Sequence, residues 1–216
     1  MTPKSRADRA LETRRRMVQA AYELFACNGY SGTTIAAVAT DARVAVPTIY
    51  YTFQTKAALF DEAIGAAIVG FDSWRQPPPE PSIGDLLTSH VWWPEFLAAS
   101  TADETLAVFV TNSVDILDRV GPLASAMHGA AGDPEAAAVV RVAEQRQRQA
   151  YEHFAKELAA KPGGLTVPIK TATDILVALF SASVYQALAD RGWTKKRCTA
   201  FLLDILRHQL TEQMVL

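Results

Sequence analysis

Hydroxyl groups, aromatic side chains and a cation gather in one short segment near the start of the chain. Phosphates are bound by hydroxyls, by backbone N–H groups at helix starts and by cations that share one surface. The residues of this kind between positions 33 and 56 are Thr33, Thr34, Thr48, Tyr50, Tyr51 and Lys56. Their types and spacing predict a phosphate-binding surface.

Lys56 supports this interpretation because it falls in the first turn of a predicted helix that Thr55 caps. The helix macrodipole disfavours a cation at that position. A nearby phosphate would remove the conflict.

The elements that must position these residues are helices. Apolar residues recur at spacings of three and four along the chain, and alternating runs typical of strands are almost absent. We therefore expect an all-α fold. Its first helix should run from Ala7 to Cys27 and stop at Gly29, since glycine is common just past a helix end.

Two short helices should follow, joined by a tight turn. Thr33 and Thr34 supply a hydroxyl cap for the first of them. Pro47 suits the first turn of the second, which should continue to Phe53. Two short helices around a four-residue turn, backed by a longer amphipathic helix, are typical of a helix-turn-helix that binds DNA.

The second short helix should present one face to the DNA groove. Ile49 and Phe53 are four residues apart and should face the core. Side chains left for the groove are Val46, Pro47, Thr48, Tyr51 and Thr52, with Tyr50 and Lys56 directed to the DNA backbone. Few of these are bidentate base readers, so we expect readout of thymine methyls and DNA shape.

This segment resembles the amino-terminal DNA-binding domain of TetR-type (tetracycline-repressor-type) transcriptional regulators. The resemblance covers about residues 10 to 60 and lies in Met17, Ala20, Ala21, Leu24, Phe25, Gly29, Tyr30, Thr33, Thr34, Val38, Ala39, Ala42, Val44, Thr48, Ile49, Tyr50, Tyr51, Phe53, Lys56 and Leu59. It implies a homodimer formed largely by the last two helices. It also implies a carboxy-terminal ligand pocket coupled to the spacing of the two recognition helices.

Two positions depart from the family pattern. Arg43 stands where the family usually has glycine, and Ala45 where it often has a serine cap. Either the turn is adjusted or Arg43 accepts a strained positive φ, and Arg43 is itself a candidate for phosphate contact. Loss of the hydroxyl cap should cost about 1 kcal/mol of helix stability.

Plainer interpretations stay open for two groups of residues. Tyr50 and Tyr51 could form a core aromatic pair instead of contacting DNA. The run Arg14 to Arg16 fits a solvated helix face better than a groove reader.

Composition is that of a globular protein, with 50% hydrophobic and 20% charged residues and a mean hydropathy of +0.06. The chain of 216 residues has a net charge of -2, but residues 1–60 carry +4 and the remainder -6. Such asymmetry is typical of a nucleic-acid partner. We expect a DNA-binding domain at 1–60 and a ligand-binding and dimerisation domain at 61–216.

The two cysteines, Cys27 and Cys198, are too few and too far apart for a disulfide framework or a metal motif, and each should be a small core residue. There is no apolar signal segment and no run of about 18 apolar residues. We expect a cytoplasmic protein without membrane association.

Beyond residue 60, the prolines Pro77 to Pro79 should end the helix that Thr55 begins. Further helices are expected at about 82–89, 93–100, 102–120, 122–128, 134–160, 168–191 and 194–210. The last two have more apolar surface than one small core needs, which indicates a homodimer interface. Its candidate residues are Leu179, Val184, Leu188, Phe201, Leu202, Ile205 and Leu206.

Aromatic residues of the second part are candidates for the lining of an apolar ligand pocket. They are Trp92, Trp93, Phe96, Phe109, Tyr151 and Phe180, with His128 or Asn112 as a polar handle. Histidines are scattered and catalytic or nucleotide-binding motifs are absent from the sequence, so we expect no metal, no cofactor and no enzymatic activity.

The leading hypothesis is a ligand-responsive regulator that binds a palindromic DNA operator as a homodimer. It should act as a repressor released by a small, largely apolar effector. A helical-bundle enzyme and a protein-interaction adaptor without operator specificity are the alternatives.

Overall fold

The computed structural model describes residues 5–74, 83–88 and 90–211, and this part of the chain contains helices and no strand. The predicted all-α class is confirmed. The helices are α1 (Arg6–Gly32), α2 (Ile35–Asp41), α3 (Val46–Phe53), α4 (Lys56–Val69), α5 (Ile83–Thr88), α6 (Trp93–Ala98), α7 (Ala102–Val120), α8 (Ala124–Gly129), α9 (Pro134–Ala159), α10 (Ile169–Leu179), α11 (Ala182–Ala189) and α12 (Lys195–Leu206).

These elements form two compact units that do not divide at residue 60. One unit contains Met1–Arg75 and Pro122–Ala143, and the other contains Gln76–Gly121 and Glu144–Leu216. The unit with the helix-turn-helix therefore includes all of α4, all of α8 and the start of α9.

Glycines end or break two helices of the first unit. Gly29 has φ 71° and interrupts α1 before its last turn. Gly70, with φ 96°, ends α4. The expectation that α4 continues until the prolines Pro77 to Pro79 stop it is therefore wrong about the helix end, and those prolines lie outside the described residues.

The core of the first unit is built around three aromatic rings. Phe25 and Phe60 are fully buried, and their ring centroids are 4.8 Å apart. Tyr30 stacks on Phe25 at 5.7 Å and lies 5.2 Å from Phe60. These contacts join α1 to α4, while α2 contacts α1 and α3 contacts α2 and α4.

Two of the three consecutive arginines on α1 are used inside this unit. Arg14 donates Nε–H to Glu62 Oε1 at 2.6 Å, donates also through Nη2 to Oε2, and lies 4.9 Å from the centre of the Phe53 ring. Arg15 donates to the Trp74 carbonyl at 2.9 Å. The interpretation of the run as a solvated face is wrong for both and fits only Arg16, which is exposed.

The core of the second unit is largely aromatic. Phe109 stacks on Phe154 with ring centroids 3.8 Å apart, and Phe96 and Phe180 approach these rings at 5.4 and 5.3 Å. Aliphatic residues of α7, α10 and α12 complete the core, among them Leu106, Leu176, Leu202 and Leu206.

The helix expected at 168–191 is two helices, α10 and α11. The Phe180 carbonyl at the break accepts hydrogen bonds from Tyr151 Oη and Gln147 Nε2, both at 2.9 Å. Ser181 then caps α11 by accepting the Val184 N–H at 3.2 Å. Within the described residues no single helix could cross a membrane by length and composition, although α10 and α11, bent by 42°, pass that test as a pair.

The burial of some residues differs from what was predicted for the dimer interface and for the cysteines. Leu202 and Leu206, candidates for a dimer interface, are 1% and 0% exposed in the core of their own chain. Phe201 is 39% exposed, and Leu179, Val184, Leu188 and Ile205 are half-buried. Cys198 is buried as expected, but Cys27 is exposed, so its prediction as a core residue is wrong.

We expect Glu62→Gln to lower the free energy of unfolding by about 2 kcal/mol, because it leaves the partly buried Arg14 guanidinium without a charged partner. Chemical denaturation measures the change. Asp174→Asn is the matched control, since its ion pair with Arg148 is half exposed on both sides and should contribute less than about 1 kcal/mol. Equal losses in the two variants would contradict the structural role of the Arg14–Glu62 pair.

Candidate nucleic-acid interface

In the turn between α2 and α3, Arg43 adopts a strained positive φ and the turn is not adjusted. Arg43 has φ 55°, so it adopts the left-handed conformation in which glycine is usual. The turn is closed behind it by a hydrogen bond from the Val44 N–H to the Ala39 carbonyl at 2.9 Å. The turn keeps its shape at a cost of about 1 kcal/mol, and the exposed Arg43 side chain extends from it.

The start of α3 lacks a side-chain cap, as its sequence predicted. Ala45 is the N-cap residue, and no side-chain hydrogen bond is made there. Pro47 follows in the first turn, where its missing N–H costs little. The Thr48 N–H donates to the Ala45 carbonyl at 2.9 Å, which leaves the Val46 N–H as the group of this turn that could donate to an external acceptor such as a phosphate oxygen.

The two faces of α3 are divided as expected. Ile49 and Phe53 are 1% and 5% exposed and pack on the core. Tyr51 is 91% exposed and Tyr50 is 49% exposed, so they are not a core aromatic pair. The other predicted groove residues are the exposed Pro47 and the half-buried Val46, Thr48 and Thr52.

Thr33 and Thr34 have different roles although they are adjacent. Thr34 is exposed and caps α2, its hydroxyl accepting the Ala37 N–H at 3.1 Å. Thr33 is 2% exposed and donates its hydroxyl to the carbonyls of Leu24 and Gly29. The prediction of Thr33 as a DNA contact is wrong, because its side chain is buried and its hydroxyl binds carbonyls of its own chain.

Lys56, at the first position of α4, turns toward the end of α1. Its Nζ donates to the Tyr30 carbonyl at 2.5 Å and lies 4.2 Å from the centre of the Tyr30 ring. Burial lowers the pKa of Lys56, and the charge of Asp133 acts in the opposite direction. The conflict with the helix macrodipole is thus relieved by groups of the same chain.

Gln54 is a further exposed residue of this surface that sequence reasoning missed. It ends α3 with φ 65° and donates its N–H to the Tyr50 carbonyl at 2.9 Å. The signal that could have identified it is its place between two helices separated by only Gln54 and Thr55, where the chain must reverse sharply.

The residues predicted to line a ligand pocket do not all lie together. Trp93, Phe96, Phe109, Tyr151 and Phe180 are buried in the second unit, and the half-buried Trp92 packs against them. They form a continuous aromatic cluster with Phe154.

Neither predicted polar handle points into this cluster. His128 belongs to the other unit, is exposed, and its Nδ1 lies 2.8 Å from the Ala124 carbonyl one turn earlier, so its prediction as a pocket residue is wrong. Asn112 is half-buried and donates to the Val108 carbonyl at 2.8 Å, which satisfies its amide within α7. In the parts of the chain that the structure describes, no group of three or more His, Cys, Asp or Glu residues could hold a metal ion.

Comparison with known proteins agrees with this geometry. Residues 17–63 match the family model of bacterial regulatory proteins of the tetR family, which confirms the resemblance inferred from the sequence. A search of curated proteins finds no match.

Solved structures share the fold over nearly the whole chain. FadR of Bacillus subtilis, a transcriptional regulator solved with stearoyl-CoA, is 14% identical, with a TM-score of 0.65 over 88% of this chain and 96% of its own. A transcriptional regulator from Saccharomonospora viridis, solved with choline, is 20% identical, with a TM-score of 0.67 over 94% of this chain and 99% of its own. At these identities the likeness establishes the fold.

Because Ala45 leaves α3 without a hydroxyl cap, Ala45→Ser should raise the free energy of unfolding by about 1 kcal/mol. Chemical denaturation measures the gain. Ala200→Ser is the control, since it places the same side chain at an exposed position inside α12, where serine should destabilise by about 0.5 kcal/mol. A loss of stability in both variants would show that residue 45 is not an N-cap.

Proposed function

We propose that this chain, whose residues 17–63 carry the DNA-binding domain of the tetR family, is a transcription regulator that binds an operator through α2 and α3. The observation that carries the proposal is the exposure of Tyr51, whose side chain is 91% accessible on a helix held firmly by its other face. An exposed aromatic ring on a short, well-anchored helix fits a groove that supplies apolar and phosphate contacts.

The surface around Tyr51 has the chemistry that DNA requires. Arg43 contributes a cation on the turn, and the uncapped start of α3 contributes the Val46 N–H. Pro47 and Tyr51 offer apolar contact to thymine methyls, while Thr48 and Tyr50 carry hydroxyls. Because no side chain of α3 is an arginine, asparagine or glutamine, readout should depend strongly on DNA shape.

We further propose that the regulator acts as a homodimer on a palindromic operator. The support is the apolar surface of the last helices, where Phe201 is 39% and Ile169 is 37% exposed. Half-buried Leu179, Val184, Leu188 and Ile205 extend this surface. Two-fold symmetry of the dimer would then require two half-sites in the operator.

The proposed effector is a small, largely apolar molecule that binds among the aromatic residues of the second unit and releases the repressor from DNA. Two proteins of the same fold were solved in complex with stearoyl-CoA and with choline, which supports a ligand site in a protein of this fold. Release requires differential affinity, and a preference of about 1–3 kcal/mol for the non-binding conformation weakens DNA binding about 5- to 150-fold.

Selection of bound sequences from a random DNA pool should recover a palindrome. Tyr51→Ala should then weaken binding to the selected duplex about tenfold, because the ring's groove contacts are lost. Its stability should change by less than about 0.5 kcal/mol, since Tyr51 makes little contact with the chain. Fluorescence anisotropy and thermal melting measure the two quantities.

Val91→Ala is the control for this experiment, because Val91 is 86% exposed and belongs to the other unit. It should leave DNA affinity unchanged. A protein that neutralises DNA phosphates binds DNA with an affinity that falls steeply as the salt concentration rises. Salt-independent or undetectable DNA binding would therefore contradict the proposal and favour the alternative of a helical-bundle enzyme. DNA binding without sequence preference would favour the alternative of a protein-interaction adaptor without operator specificity.

Stearoyl-CoA, stearic acid and choline are suitable first probes for the effector. A probe that binds the folded protein should raise the melting temperature and, at saturation, weaken binding to the selected duplex by at least about fivefold. Quenching of tryptophan fluorescence in a variant with Trp74→Phe and Trp193→Phe reports on Trp92 and Trp93 in the aromatic cluster. A probe that binds there and leaves DNA affinity unchanged would contradict ligand-induced release.

A further inference from the structure

Lys56 is held by contacts inside its own chain on the side of α4 that faces the end of α1. Its ammonium donates to the Tyr30 carbonyl and lies over the face of the Tyr30 ring. Both partners attract a cation, the carbonyl by its partial negative charge and the ring by its quadrupole. For Lys56 to bind a phosphate fully, it has to leave these partners.

A carboxylate from another part of the first unit completes this arrangement. Asp133 Oδ2 accepts the phenol of Tyr30 at 3.4 Å. Its Oδ1 accepts the N–H groups of Glu135 and Ala136, at 3.0 and 3.1 Å, in the first turn of α9. Asp133 therefore ties the start of α9 to the ring on which Lys56 lies.

The electrostatics of the three groups are coupled. Burial, and then the charge and hydrogen bond of Asp133, raise the pKa of Tyr30 to about 12, so its phenol remains a hydrogen-bond donor. Burial lowers the pKa of Lys56, and the charge of Asp133 partly opposes this by favouring the protonated form. One carboxylate thus orients the ring and attracts the ammonium.

We propose that Asp133 is an internal competitor of DNA, which holds Lys56 on Tyr30 and so lowers the affinity of the helix-turn-helix for phosphate. This inference rests on the proposed function, because it assumes that Lys56 contributes to DNA binding when it is released. It makes the start of α9 a regulatory element of the DNA surface. Loss of the Asp133 charge should tighten DNA binding about twofold to fivefold, the range expected for a partly exposed charge pair.

The test compares Asp133→Asn with Glu135→Gln. Each variant removes one negative charge from the start of α9, but Asp133 accepts the hydrogen bond of the Tyr30 phenol, whereas Glu135 is exposed and acts on Tyr30 through its charge. Asparagine also keeps the helix cap, so the fold should be preserved. Binding to a short mixed-sequence duplex at low salt should tighten in Asp133→Asn and change less in Glu135→Gln.

A second comparison assigns the effect to Lys56. In a Lys56→Ala background, Asp133→Asn should no longer change DNA affinity, because the group that Asp133 holds is absent. Equal tightening in Asp133→Asn and Glu135→Gln, or tightening that persists without Lys56, would overturn the inference. Both results would indicate long-range repulsion of DNA by negative charge.

A measurement without DNA separates this inference from the proposed function. Acylation of the Lys56 amine, followed by mass spectrometry, should be faster in Asp133→Asn than in the wild type and unchanged in Glu135→Gln. If the wild type binds no duplex, the proposed function fails. The proposed competition between Asp133 and DNA then fails as well, whatever acylation rates are measured. If the wild type binds DNA but neither its affinity nor the acylation rate responds to Asp133→Asn, only the inference fails.

Discussion

The exposed surface of α3 depends on the burial of Ile49 and Phe53 on its opposite face. A helix of eight residues is not stable by itself in water, and α3 also lacks a side-chain cap. Its position is therefore set by what lies beneath it. Phe53 is 5% exposed and is covered by the Arg14 guanidinium, which Glu62 of α4 holds in a two-point hydrogen bond. The free edge of α3, with Tyr50 and Tyr51, can be exposed because α1 and α4 hold the buried edge.

Local rules predicted much of this surface from the sequence. The spacing of Ile49 and Phe53 identified the buried face. The resemblance to TetR-type regulators drew attention to Arg43 and Ala45, where it implied either an adjusted turn or strain at Arg43, and a missing cap. Each of these features depends on a few neighbouring residues. The roles of Thr33 and Lys56 could not be predicted in the same way, because their partners depend on the break at Gly29 and on Tyr30, 26 residues before Lys56. Hydroxyls and ammonium groups bind whichever acceptor the fold brings near.

The second unit shows a related difference between periodicity and packing. An unbroken apolar pattern predicted one helix at 168–191, but the chain breaks at Phe180, whose carbonyl accepts hydrogen bonds from Tyr151 and Gln147 of α9. On α12, the apolar stripe is wider than the face that the chain itself covers. Leu202 and Leu206 enter the core while the adjacent Phe201 remains 39% exposed. Periodicity identifies apolar residues, but the neighbouring helices decide which of them face the core.

Part of the positive charge of the first 60 residues is bound within the chain and is not directed to DNA. Of its basic residues, Arg14 binds Glu62, Arg15 binds the Trp74 carbonyl and Lys56 binds the Tyr30 carbonyl. These three cations stabilise α1, α3 and α4 against one another, so their charge is not simply spread over a DNA face. Attraction to DNA then falls more on exposed cations such as Arg43, while hydroxyls and helix starts set the register. A domain that uses part of its charge to hold its own helices can change its DNA affinity by releasing one of those cations, and Lys56 has this role in the proposed competition, since its partners are a neutral carbonyl and a neutral ring.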